Sequence, residues 1–169
     1  MRQDYIIDRK VNMIHRLANI ASDYVSFGTN CRVDAFVTIT GNVRIGDDVH
    51  IGAGVAIFGT HGVVIGNGVS LSPGSKIFTA TDDPSLEMVT NPQIDDRCGQ
   101  IGQVSIGDYS SIGSNAVVLP GVTIEDEVQV GALSLVKTSL RRNGVYAGVP
   151  AKYIKERAGL IYGHYSSKS

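Results

Sequence analysis

Aliphatic or aromatic residues recur at every sixth position through most of this chain. They stand at Phe27, Val33, Ile39, Ile45, Ile51 and Ile57, then, after a slip of two residues, at Ile65, Leu71 and Ile77. After a long gap the beat resumes at Ile106, Ile112, Val118, Ile124, Val130 and Val136. The next position is often glycine, as at Gly28, Gly46, Gly52, Gly66, Gly107, Gly113 and Gly131. The fourth position after each aliphatic is small or β-branched, as at Cys31, Val37, Val49, Val55, Ser75, Ser110, Ala116 and Ser134. A period of six is neither the alternation of a hairpin sheet nor the heptad of a coiled coil. It predicts short strands joined by tight turns, each aliphatic pointing into a narrow prism and the small residue filling the corner beside it. Gly, Asn and Asp at the intermediate positions supply the turn conformations. Coils of such a solenoid stack through parallel strand hydrogen bonds at roughly 4.8 Å per coil. The prism consumes nearly all the apolar surface, so chemistry belongs on its corners and edges.

Composition agrees with a single domain of this kind. The chain has 169 residues, 43% of them hydrophobic, with a formal net charge of -1, which excludes a disordered or polybasic nucleic-acid-coating protein. Its 20 glycines, absent tryptophan and 7% aromatics suit a turn-rich β architecture better than a helical bundle. Charges at Arg2, Asp4, Asp8, Arg9 and Lys10 interrupt the N-terminus, and no apolar run approaches about 18 residues. The expectation is a cytoplasmic protein without membrane or nucleic-acid partners. Cys31 and Cys98 have no CxxC or metal spacing and read as reduced, Cys31 buried and Cys98 in a loop.

The units IGDDVH, IGAGVA, IGNGVS, IGDYSS, IGSNAV and VGALSL share one register, and LPGVTI and the closing YAGVPAKYIKER accompany them. Together they resemble the left-handed β-helix hexapeptide-repeat acyltransferases over about residues 27 to 157. The resemblance implies a triangular prism with three hexads per turn, an exception to the usual right-handed crossover. It further implies a homotrimer with active sites between subunits and acetyl-coenzyme A as donor. The domain reading is a capping region over 1–26, the β-helix over 27–157 with an extruded loop at 79–105, and a tail over 158–169. Ile7, Val11, Ile14, Leu17 and Ala18 at helical spacing predict an amphipathic helix over the first coil. Residues 151–157, after Pro150, predict a short C-terminal helix.

The beat breaks at IFTATDDPSLEM, residues 77–88. The family normally places a histidine in the loop after such a unit, where it takes a proton from the acceptor hydroxyl; this chain has Asp82 there. The slip between Ile57 and Ile65 stacks Ile57 under Ile77, so the corner holding His61 and Gly62 falls under Thr81 and Asp82. Asp82 and His61 are therefore the catalytic candidates. A hydroxyl attacking a thioester needs a base such as imidazole, whereas an amine needs only orientation and late proton loss, within reach of a carboxylate or a water it holds. Asp82 thus favours N-acylation of a sugar amine over O-acylation with His61 as base. The chain also resembles the subset that acylates nucleotide-linked amino sugars, in which a TATDD-like stretch occurs. The alternatives are a turn before Pro84 capped by Asp82 and Asp83, and a corner histidine bonded to backbone. His15, His50 and His164 read as structural or solvated.

Between Asp82 and Asp96 the chain carries five acids and no base. Asp83, Glu87 and Asn91 are candidates to orient an amino sugar. A basic group, Lys137, Arg141, Arg142, Lys152, Lys155 and Arg157, suits coenzyme A phosphates. By resemblance, Ser114 and Ala132 match positions that hold the pantetheine arm, and Lys137 or Thr138 with Lys152 match positions near the nucleotide end. The same prism carries zinc carbonic anhydrases, but His50 and His61 lack a third ligand of the right type, so no metal is expected. A bare scaffold would gain nothing from interrupting its coils.

Overall fold

The computed structural model describes residues 5–7, 12–82 and 98–158, and every regular element among them is a strand. They make six stacked coils with three faces. The first face runs through Met13–His15, Arg32–Val33, His50–Ile51, Ser70–Leu71, Ser111–Ile112, Gln129–Val130 and Gly144–Ala147. The second begins at Asn19–Ile20 and continues through the first halves of Thr38–Ile45 and Ala56–Ile65, then Lys76–Phe78, Val117–Val118 and Leu135–Val136. The third carries Val25–Phe27, the second halves of the two long strands, Val104–Ile106 and Thr123–Ile124. Nearly all neighbours along a face pair in parallel, as the repeat requires.

One column shows why the beat specifies the fold. Ile39 pairs with Ile57, Ile57 with Ile77, Ile77 with Val118 and Val118 with Val136, and all five are fully buried. Removing each such side chain from water contributes about 1.5–3 kcal/mol, and a shift of register by one residue would turn the whole column outward. The slip has a direct structural counterpart. Gly41 pairs with Gly59 and Val43 with Val63, so Ala56–Ile65 bulges over Thr60, His61 and Gly62 while its partner spends a single residue. Glycine is required at the corner above: Gly41 has φ +80°, and a Cβ there would lie 2.4 Å from the Gly59 carbonyl carbon.

Both ends differ from the sequence expectation. In place of a capping helix, Tyr5–Ile7 pairs antiparallel with Met13–His15, which itself lies parallel to Arg32–Val33. The prism therefore begins at Met13 rather than Phe27. The inward residues Ile14, Ile20 and Phe27 pair with Val33, Ile39 and Ile45, so the beat extends upstream with one extra residue between Ile20 and Phe27. The open edge of the second coil captures this segment, and Leu17, which a helix would have buried, is 56% exposed. The buried Asn12 side chain accepts from the Cys31 amide at 2.7 Å and donates to the Gly28 carbonyl at 3.0 Å.

The expected C-terminal helix is also replaced by a strand. Lys152–Glu156 pairs antiparallel with Gly144–Ala147, because that last strand of the first face exposes unpaired backbone groups and Tyr153 and Ile154 favour extended structure. The extruded loop opens as a two-stranded arm, Ala80–Asp82 against Cys98–Ile101. Cys98 thus begins a strand rather than lying in irregular loop, and Cys31 is buried. The tail from residue 159 onward lies outside the described residues. No described helix is long and apolar enough to cross a membrane.

Candidate active site

The arm leaves the prism at the corner between the second and third faces, directly over the bulge that carries His61. Thr79 builds this corner. Its fully buried hydroxyl donates to the Phe58 carbonyl at 2.7 Å and accepts from the His61 amide at 3.1 Å. Its own amide donates to the same Phe58 carbonyl at 3.1 Å, and its carbonyl accepts from Gly102 at 3.0 Å, closing the neck of the arm. The main chain of His61 is thereby fixed to Thr79, which itself stands three residues before Asp82 in the chain. The imidazole of His61 is exposed and has no hydrogen-bond partner among the described residues. Asp82 ends the outgoing strand of the arm, opposite Cys98. Asp83, Glu87 and Asn91 fall outside the described residues.

Beside this corner the second face turns apolar side chains outward. Phe58 and Phe78, one coil apart, stack with ring centroids 5.3 Å apart and planes inclined by 16°. Phe78, Ala80, Thr81 and Leu119 bound an open cleft of about 350 Å³ where the arm meets the face. The signal was present in the sequence: once Ile57 lies under Ile77, each following Phe must point outward in the same column.

The residues expected to hold coenzyme A divide between two edges of the second face. Lys137 and Thr138 are exposed on the edge that carries the arm, one coil beyond Leu119, whose amide donates to the Val136 carbonyl at 2.9 Å. Ser114 and Ala132 lie on the opposite edge, where the Leu133 amide donates to the Ser114 carbonyl at 2.9 Å. Lys152 joins that edge: it pairs with Ala147, and the Ala151 amide donates to the Leu135 carbonyl at 2.8 Å. Ser114 and Leu119 stand on either side of the strand Val117–Val118, five positions apart in the chain. Of the basic group, Arg142 is engaged by Glu127 at 3.4 Å and Arg157 donates to the Tyr109 carbonyl at 2.6 Å. Among the described residues Lys137, Arg141, Lys152 and Lys155 form no ion pair.

Two polar arrangements escaped the sequence reading. Asp34 accepts from Tyr5 at 3.0 Å and Arg32 at 2.8 Å and faces His50 Nε2 at 2.9 Å, which fastens the first strand to the prism. Partial burial pushes the Asp34 carboxyl up. Hydrogen bonds from His50, Arg32 and Tyr5, with the Arg32 charge, outweigh it and hold the group below the ordinary carboxylate value. The second is a ladder along the corner between the third and first faces. Thr29 donates its amide to Asp47, Asp47 to Asn67, Asn67 to Asp108 and Asp108 to Asp126, at 2.6 to 2.9 Å. The recurrent Asp or Asn after Gly46, Gly66 and Gly107 was its signal. Among the described residues no three His, Cys, Asp or Glu side chains converge as a metal site would need.

Comparison with known proteins agrees with the fold. The family described as bacterial transferase hexapeptide (six repeats) matches residues 24–59 and 91–138. The chain is 30% identical over 157 residues to a dTDP-4-amino-4,6-dideoxy-D-glucose acyltransferase of Escherichia coli, covering 90% of this chain and 82% of that protein. It is 34% identical over 148 residues to WbbJ of Escherichia coli K12, whose name assigns it O-acetyl transfer in lipopolysaccharide biosynthesis; the match covers 82% and 71%. Among solved structures, AntD, an N-acyltransferase from Bacillus cereus in complex with dTDP and 3-hydroxybutyryl-CoA, superposes with a TM-score of 0.81 at 32% identity. That match covers 87% of this chain and 80% of AntD.

Proposed function

The chain belongs to the hexapeptide-repeat acyltransferases, and from that membership we propose that it moves an acyl group from acyl-coenzyme A to the amine of a nucleotide-linked amino sugar, in surface polysaccharide assembly. The observation that carries the reading is the corner where Thr79 fixes His61 beside the strand that ends in Asp82. A dTDP-linked amino sugar is the acceptor to try first, since two of the similar proteins are named or solved with dTDP compounds.

In this scheme the unprotonated amine attacks the thioester carbonyl carbon, the new C–N bond forms and the C–S bond then breaks. The proton lost by the nitrogen passes to the Asp82 carboxylate or a water it holds, and ends on the departing thiolate. Holding donor and amine in contact supplies much of the acceleration. No covalent enzyme intermediate is needed, and Cys31, buried in the core, is out of reach of substrate. Asp83, Glu87 and Asn91 orient the amino sugar. Ser114 and Ala132 hold the pantetheine arm, and Lys137 or Thr138 with Lys152 meet the nucleotide end of coenzyme A.

We take the working unit to be a homotrimer. The second face carries Ala56, Phe58, Phe78, Val117, Leu119 and Leu135 outward, with Thr38 and Lys76 among them, whereas the first carries Arg32, His50, Ser70, Ser111 and Gln129. The donor-binding candidates on its two edges would complete one site only when a rotated copy brings its edge against the other. We take the reaction to be cytoplasmic, which coenzyme A and nucleotide sugars as substrates would support.

A second reading is favoured by the exposed imidazole of His61, which has no hydrogen-bond partner among the described residues: O-acetylation of a sugar hydroxyl, with His61 as base. Thiol release from acetyl-coenzyme A with dTDP-4-amino-4,6-dideoxyglucose, with the product followed by mass, tests the first. Asp82→Asn should slow amine acylation by about 10²-fold or more, the range of positioned acid–base groups. Wild-type turnover in Asp82→Asn with loss in His61→Ala would move the base to His61.

A further inference from the structure

We infer that the cleft at the foot of the arm receives the acyl chain of the donor and admits chains longer than acetyl; this rests on the acyltransferase reading. The cleft opens one residue from Asp82, where the thioester carbonyl must lie for attack. That carbonyl carbon bears two substituents. Its sulfur leads to the pantetheine arm and the phosphates, which belong with Lys137 and Lys152, so the alkyl substituent must go elsewhere.

Phe78, Ala80 and Leu119 offer it an apolar wall. Among the described lining residues Thr81 supplies the one polar side chain. A sugar or a nucleotide base placed there would gain few hydrogen bonds from the described walls. An alkyl chain needs none. The volume, about 350 Å³, is many times that of one methyl group and lies at the lower end of small-molecule pockets. Phe58 extends the apolar wall by one coil through its stack on Phe78. Ala80 limits the depth on the arm side, because a larger side chain at that position would occupy the cleft, and Leu119 does so from the face.

Calorimetric titration of the full chain with free coenzyme A and with acetyl-, butyryl- and hexanoyl-coenzyme A tests this. Each methylene buried should tighten binding about fourfold, so butyryl-coenzyme A should bind roughly 15-fold tighter than acetyl-coenzyme A. Ala80→Leu should bring the three acyl donors to within about twofold of one another, and Leu119→Phe should act in the same direction from the opposite wall. Melting curves of both variants establish that they are folded. Equal affinity for all three acyl donors in the wild type would overturn the inference and leave the transferase reading standing. No binding of any donor, free coenzyme A included, would overturn both.

Discussion

Replacing Thr79 by valine asks how far the corner depends on one hydroxyl. The substitution keeps the shape and buries no new atoms, but it removes the bond donated to the Phe58 carbonyl and the acceptor of the His61 amide. The Phe58 carbonyl keeps its bond from the residue 79 amide, so the first loss is a net hydrogen bond, about 1 kcal/mol. The His61 amide loses its protein acceptor on an exposed bulge, where water replaces part of it; this adds about 1 kcal/mol, the low end of the range for orphaned donors. The sum, about 2 kcal/mol, corresponds to a fall in Tm of roughly 4–8 °C for a chain of this size. Thermal and urea unfolding followed by circular dichroism, at one fixed protein concentration because assembly contributes to stability, measures it. Thr79→Ser restores both hydrogen bonds and loses only a methyl group, so it should be the more stable of the two despite its smaller volume. Because Thr79 positions rather than reacts, kcat/KM for the amine acceptor should fall at least tenfold in Thr79→Val and recover in Thr79→Ser. A valine variant with wild-type stability and turnover, or a serine variant worse than valine, would refute the reasoning.

Gly41→Ala and Gly54→Ala separate backbone conformation from crowding. Both have positive φ, but the new methyl meets the Gly59 backbone at position 41 and open space at position 54, so urea midpoints should show about 1–2 kcal/mol lost at 54 and clearly more at 41. Asn67→Asp would keep the acceptor yet set a carboxylate one coil from both Asp47 and Asp108. The repulsion is of order 1 kcal/mol per neighbour in water, so the variant should unfold earlier at low salt and regain stability at high salt. The Asp34 carboxyl has a folded-state pKa below its unfolded value, so its contribution is present above about pH 4 and is lost as pH falls through the folded value. Asp34→Asn should flatten that acid limb, read as hydrogen exchange in Tyr5–Ile7 against pH.

Most of the prism was legible because one physical requirement repeats: an inward aliphatic every sixth position with a small residue beside it. Ile57 was placed under Ile77 by that requirement, and the structure carries the same column on to Val118. The ends were misread for a related reason. Ile14, Leu17 and Ala18 satisfy helical spacing, but Ile14, Ile20 and Phe27 also continue the beat, and the open edge of the next coil decides between them. Residues 151–157 likewise answer to an unpaired edge strand that local sequence does not announce. At the site, the slip at His61 and the break at Asp82 were visible as irregularities in the period. The Thr79 bonds that join them were not, since a buried threonine hydroxyl carries no pattern. The Asp34 cluster joins Tyr5, Arg32 and His50 from three different coils or strands, a meeting that only the stacked structure reveals.

The most direct test of the central claim is a paired acceptor assay. Thiol release from acyl-coenzyme A would be measured with dTDP-4-amino-4,6-dideoxyglucose and, in parallel, with the dTDP-sugar that carries a hydroxyl in place of the amine. The account predicts rapid release with the amine and little with the hydroxyl, with the acyl group found on nitrogen. Release with the hydroxyl sugar alone, or with neither although coenzyme A binds, would contradict it.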